Sequence, residues 1–309
     1  MTLQSIPGIG EFFSATSAIL WALSLVLFRR AGDSMAPSTL NLYKGTVALA
    51  CLIPTMALLG IDYFPDDVTI QDWLIMLASG MAGMGIADTI LFVSLNKVGP
   101  GRYAIINCSF GPATILASAV FLGEPVTAAL IGAAALIVAA ILLSAWDPVG
   151  RMQAKAATPD PNRPRLGRYY LLGVLGVVII AVSIVAAKPV LNRTDGVWGA
   201  FARLCGGLLF LVPQNLMPGN FKRTVAAFSR GPHHRHALLP SFLGAYACTV
   251  LWTLGMKYTY ASVASVLCQL TNILLFPFAF LILKDRIQAR QIVAVGIGIG
   301  AGLLIILAN

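Results

Sequence analysis

Apolar runs of about twenty residues alternate with short polar breaks along the whole chain. Ten runs stand out, near 11–30, 37–59, 73–96, 102–122, 126–146, 169–192, 196–217, 237–257, 261–283 and 287–308. About 20 mostly apolar residues in a helix cross the hydrocarbon core of a bilayer. None of the runs shows the strict alternation of a barrel strand. Lipid offers no partner to a free backbone N–H or C=O, so the expected class is an all-α membrane protein with ten transmembrane helices. Local features refine the runs. Pro112, after Gly111, predicts a kink in the fourth. Small-residue ladders at Ser79, Gly83 and Ala87, at Gly296 and Gly300, and at Gly298 and Gly302 predict close helix approaches. Those approaches suit packing within one chain or between two copies, so a monomer and a homodimer both stay open.

The pattern occurs twice. Thr89-Ile90-Leu91-Phe92 matches Thr249-Val250-Leu251-Trp252, Lys97 falls on Lys257 and Cys108 on Cys268, all at an offset of 160. Upstream the offset is 159, with Ala22 to Val26 on Ala181 to Val185 and Lys44 on Arg203. Downstream it is 161, with Leu122 to Val126 on Leu283 to Ile287. Chance matches would scatter in offset, so the chain reads as two copies of one unit. The expected division is a first five-helix repeat at 1–146, a basic linker at 147–168 with four prolines, and a second five-helix repeat at 169–309. Five spans is an odd number, so contiguous copies insert in opposite directions. That makes an inverted repeat with its site at the repeat interface.

Composition agrees. The chain is 58% hydrophobic and 11% charged, too apolar for a soluble domain of its length. Of its 21 Lys and Arg, sixteen lie in the loops after runs one, three, five, seven and nine, three lie on the other side, and Lys44 and Arg203 lie inside spans. The basic side is expected to face the cytoplasm. The linker is then cytoplasmic, both termini face outward, and the inner membrane is the expected location. The net charge of +9 is spread over these loops and signals topology and contact with lipid headgroups. Nucleic acid is not an expected partner. With no basic residue before Arg29, the first run reads as a retained helix. The five cysteines lie in apolar runs and read as inert. His233, His234 and His236 sit in a basic loop without an acid or Cys beside them, so no metal site is expected. Neither a Walker A run nor GxSxG nor HExxH occurs, and no cofactor is implied.

Ten spans in two five-helix units, with Gly123-Glu124-Pro125 turning after a proline-bearing fourth span, resemble the EamA-type branch of the drug/metabolite transporter superfamily. The second copy departs from the pattern, since Lys284-Asp285-Arg286 replaces Gly-Glu-Pro. The related small multidrug exporters carry a coupling acid in the first helix, where this chain has Ala22, so that mechanism does not carry over. The resemblance implies a secondary transporter, commonly an exporter, of small metabolites such as amino acids and their derivatives. Sugars, nucleotide-sugars and amphiphilic drugs stay open as cargo. An integral membrane enzyme or a structural membrane protein is the reading of another class.

Charged groups inside a span cost about 2.5–3.5 kcal/mol each on insertion scales. Lys44 and Arg203 are repeat mates, so they are expected to line a central cavity and attract an anionic group, or else to snorkel to the interface. Asp88 is the one carboxylate near mid-span, and its repeat mate is Cys248. Lipid favours the neutral form of a carboxylic acid. Asp88 therefore suits proton coupling in an antiporter or binding of an amine, with a packing ion pair to Lys44 as the alternative. Trp21, Ser24, Tyr103, Asn107, Ser183, Tyr246, Trp252, Gln269 and Asn272 complete the expected substrate-binding set. The three amides need partners that lipid cannot supply.

Overall fold

The structure, a computed structural model, describes residues 6–32, 35–98, 103, 106–145, 166–229, 237–284 and 289–308. The described residues are helical, joined by turns and short extended loops. The first unit holds α1 (Ile9–Gly32), α2 (Pro37–Leu59), α3 (Ile70–Gly80), a π-helical segment (Met81–Ala87), α4 (Asp88–Val98), α5 (Phe110–Leu122) and α6 (Ala128–Ala145). The second holds α7 (Leu166–Arg193), α8 (Gly196–Leu216), α9 (Pro218–Ser229), a π-helical segment (Ser241–Ala247), α10 (Cys248–Tyr258), α11 (Ala261–Cys268), α12 (Leu270–Leu283) and α13 (Ala289–Ala308). Among the described residues, seven stretches are long and apolar enough to cross a membrane, and the apolar helices Phe110–Leu122, Ala128–Leu143 and Ala289–Leu304 are shorter. All ten expected runs carry helix. The linker between 147 and 165, the three histidines, Gly99 to Arg102 and Asp285 to Ile287 lie outside the described residues.

Polar residues fix the helix ends. Thr69 and Asp72 form a reciprocal capping box at the start of α3. Asp195 accepts from Val197 N at 2.7 Å and Trp198 N at 3.1 Å at the start of α8. Glu124 crosses between units. Its carboxylate accepts from Ala261 N at 2.8 Å, Ser262 N at 3.0 Å and Ser262 Oγ at 2.7 Å, tying the Gly-Glu-Pro turn to the N-terminus of α11. Lys188 is not a lipid-interface anchor, although a span end suggests one. It is buried and donates to the carbonyls of Met256 and Thr259 at the C-terminal end of α10. Those carbonyls have no helical partner, so a cation there satisfies them.

The duplication is visible in the backbone. The π-helical segments Met81–Ala87 and Ser241–Ala247 are both seven residues long and lie at the repeat offset of 160. The fourth helices both break where the units correspond, at residues 108 and 109 in one and at 269 in the other. Only the first break has a proline just beyond it, at Pro112; Pro277 lies inside α12. Both fifth helices follow a left-handed cap, at Gly123 (φ 65°) and Lys284 (φ 58°). The contacts exchange too. The first helix of each unit packs on the third and fourth of the other, α2 packs on α8, and α6 packs on α13.

Glycines set the closest of these approaches. A Cβ on Gly80 would overlap the Arg203 carbonyl, and one on Gly206 would overlap that of Leu77. Ser24 and Ser183, themselves repeat mates, each lie against a glycine of the other unit, Gly244 and Gly83. Of the last ladder, Gly298 and Gly302 face Ile273 and Leu270, whereas Gly296 and Gly300 face open space. One apolar cluster joins Leu52, Met56, Met76, Leu191, Trp198 and Met256. A second joins Ile137, Ile141, Leu267 and Ile273.

Candidate functional site

A cavity of about 240 Å³ lies between the two units. Nine of the twelve expected residues line it: Trp21, Lys44, Asp88, Tyr103, Asn107, Arg203, Trp252, Gln269 and Asn272. Three do not. Ser24 is spent on the crossing with Gly244, and Ser183 on the crossing with Gly83, where its carbonyl also accepts from Ser79 Oγ at 2.6 Å. Tyr246 turns away from the cavity, with its hydroxyl 2.6 Å from Thr55 Oγ1 and its ring 5.2 Å from Phe242. Its neighbour Ala245 lines the cavity. One residue along a helix is about 100° of rotation, enough to change face.

Neither intramembrane cation snorkels. Lys44 Nζ donates to Asp88 Oδ2 at 2.8 Å and lies 5.0 Å from the Phe92 ring centroid and 5.3 Å from that of Trp21. Asp88 is therefore not the solitary carboxylate that its position suggests. Its helix packs against α2, and Lys44 is the opposite charge in direct contact with it, while Arg203 feels Asp88 through space. Arg203 is 1% exposed and stacks 5.0 Å above the Trp252 ring. Phe92 and Trp252 are repeat mates, so each unit sets a cation over an aromatic face at the same place. The charge partners differ. Arg203 has no salt bridge among the described residues, and its Nε and Nη1 have no hydrogen-bond partner.

Amides form another part of the lining. Asn107 Nδ2 donates to Asn272 Oδ1 at 3.1 Å. Asn272 Nδ2 and both polar atoms of the Gln269 amide are buried without a partner. Gln269 sits at the break between α11 and α12, opposite Gly111. Asn41 was missing from the expected set. It donates to Met84 O at 3.0 Å, inside the first π-helical segment, and to Thr89 Oγ1 at 3.3 Å. Its signal was available, since an amide inside an apolar run needs an interior partner. Phe92 was missing too, although its mate Trp252 was included.

Helical throughout its described residues, duplicated and multi-pass, with a largely apolar cavity that carries a few charged and amide side chains between its units, the chain has the architecture of a membrane transporter. The model of the EamA-like transporter family matches residues 8–146 and 167–307, and the chain belongs to that family. A search of curated proteins finds no match. A solved crystal structure of a protein is similar over 97% of this chain and 96% of its own, with a TM-score of 0.77 and 15% identity, and shares the fold.

Proposed function

We propose that the protein is a secondary active exporter of a small polar or zwitterionic metabolite, such as an amino acid or a derivative, working by alternating access. The observation that carries this reading is the cavity between the units, with Lys44, Asp88 and Arg203 on its wall. In this reading all ten helical runs span the inner membrane, the units insert in opposite directions, and the 147–168 linker is cytoplasmic. The exchange of contacts between first, third and fourth helices supports the inversion, because a two-fold relation produces it. The cavity is bounded by helices from both units, so rocking one unit against the other opens either end in turn.

Asp88 couples transport to the proton gradient. A proton on Asp88 cancels its attraction for Lys44, and a cation released inside a low-dielectric cavity must find a new partner. Protonation and substrate binding then act on one charge network, which produces antiport. Two measurements test this. In proteoliposomes with an imposed pH gradient, the wild type should accumulate substrate uphill. The Lys44→Gln/Asp88→Asn double variant, which keeps the cavity charge, should lose uphill transport but retain counterflow. Uphill movement by that variant would place the coupling elsewhere. An impermeant thiol reagent should miss a cysteine placed in the 147–168 linker of intact cells, and label one added after Asn309. The reverse labelling would overturn the orientation.

A further inference from the structure

The sequence presents Lys44 and Arg203 as equivalents, and the structure divides them. Three residues with formal charge line the cavity among the described residues, namely Lys44, Asp88 and Arg203. Lys44 and Asp88 compensate each other at 2.8 Å. The net positive charge left over belongs to Arg203, which feels Asp88 through space but makes no salt bridge among the described residues. That guanidinium is 1% exposed, and its Nε and Nη1 are buried without a hydrogen-bond partner. A buried charge of this kind is costly unless something pairs with it. Its Cζ lies 5.0 Å from the Trp252 ring centroid, a cation–π contact that takes none of its N–H donors. Nε–H and Nη1–H2 lie on different edges of the group, so each is open to one ligand oxygen, and a charge-assisted bond from either suits a carboxylate.

The same cavity holds a second set of unused groups, and these are neutral. Gln269 has both an acceptor and donors free, and Asn272 has its donors free. Asn272 Oδ1 is held by Asn107 at 3.1 Å, which orients the remaining Nδ2. A ligand group that both accepts and donates satisfies them, as an amide or a hydroxyl does. An ammonium meets no free charge here, because Asp88 is taken by Lys44.

We propose that Arg203 is the anchor for a substrate carboxylate, that Gln269 and Asn272 read a neutral hydrogen-bonding group at its other end, and that a substrate ammonium is not required. The substrate class is thus a small monocarboxylate carrying an amide or hydroxyl. This rests on the transporter reading above and narrows it. The cavity of about 240 Å³ sits just under the roughly 300–1,000 Å³ of drug-sized sites, which suits a compact metabolite.

Four probes of one length separate the contributions. Glutaramate has the carboxylate and the amide, glutaramide lacks the carboxylate, pentanoate lacks the amide, and L-glutamine adds an ammonium to glutaramate. Affinities are measured by calorimetry on full-length purified protein in detergent. Glutaramate is expected to bind at least about tenfold more tightly than glutaramide, since a charge-assisted hydrogen bond carries about that factor. Pentanoate should bind about five- to tenfold more weakly than glutaramate, and L-glutamine no more tightly. Arg203→Gln should weaken glutaramate at least about tenfold, and Arg203→Lys should restore part of the loss. The ligand series on the wild type stands even where an Arg203 variant fails to fold.

Glutaramide binding as tightly as glutaramate overturns the anchor, as does an unchanged affinity in folded Arg203→Gln protein. Pentanoate equal to glutaramate overturns the amide reader. L-Glutamine binding more than tenfold tighter than glutaramate overturns the monocarboxylate class and leaves the zwitterion-transporter reading standing. Absence of glutaramate binding to the wild type overturns the proposal, while uphill transport in proteoliposomes judges the transporter reading separately.

Discussion

In the first unit Lys44 lies over Phe92 and is paired with Asp88. At the corresponding place in the second unit Arg203 lies over Trp252, and Cys248 stands where Asp88 would be. The backbone repeats closely, with matching π-helical segments, matching breaks in the fourth helix and matching left-handed caps before the fifth. The difference between the units is chemical. One unit supplies a neutralised pair and the other a cation without a salt bridge among the described residues, and the amides Gln269 and Asn272 come from the second unit as well.

The largest test of this contrast removes the first unit's acid. Asp88→Ala leaves Lys44 buried without its partner and should cost about 3 kcal/mol, because breaking a buried pair exposes the full desolvation penalty of the remaining charge. Adding Lys44→Met should recover most of that loss. The matching change in the second unit, Cys248→Ala, removes no charge and should cost about 1 kcal/mol. Denaturation of the purified proteins in detergent, titrated with SDS, reads all three. Equal losses for Asp88→Ala and Cys248→Ala would mean that the two walls are not different in charge.

A smaller effect separates glycines that hold the units together from glycines that do not. Gly80→Ala should cost about 2 kcal/mol, because its Cβ meets the Arg203 backbone and the two helices must part. Gly300→Ala meets nothing within 4 Å and should stay within about 0.5 kcal/mol of wild type. A large loss from Gly300→Ala would point to a second copy packed on that face.

The smallest effect concerns the turns that differ. Lys284 adopts the left-handed conformation that Gly123 adopts in the other unit. Lys284→Gly should stabilise the protein by up to about 1 kcal/mol, and Gly123→Ala should destabilise it by a similar amount. Thermal unfolding in detergent checks both signs. Destabilisation by Lys284→Gly would show that its side chain holds something the glycine turn does not need.

Much of this was readable from the chain. Runs of about twenty apolar residues announce membrane helices, because backbone groups in lipid have no alternative to helical pairing. The offsets of 159, 160 and 161 announced the duplication, and the structure keeps the same offsets. Lys44, Arg203, Asp88 and the amides Asn107, Gln269 and Asn272 announced themselves through the cost of polar groups in lipid. That cost places a residue in the interior, and all six line the cavity.

What the sequence could not decide is which interior groups meet. Lys44 pairs with Asp88, Arg203 lies over Trp252 without a salt bridge among the described residues, and Ser24, Ser183 and Tyr246 go to helix crossings and a hydroxyl contact. The π-helical segments and the break at Gln269 also lack a local signal of their own. Hydropathy and residue type act along one helix and report depth. Partnership depends on how two helices from different parts of the chain rotate and approach. That is set by close contacts such as Gly80 on Arg203 and Gly206 on Leu77, about 125 residues apart in sequence.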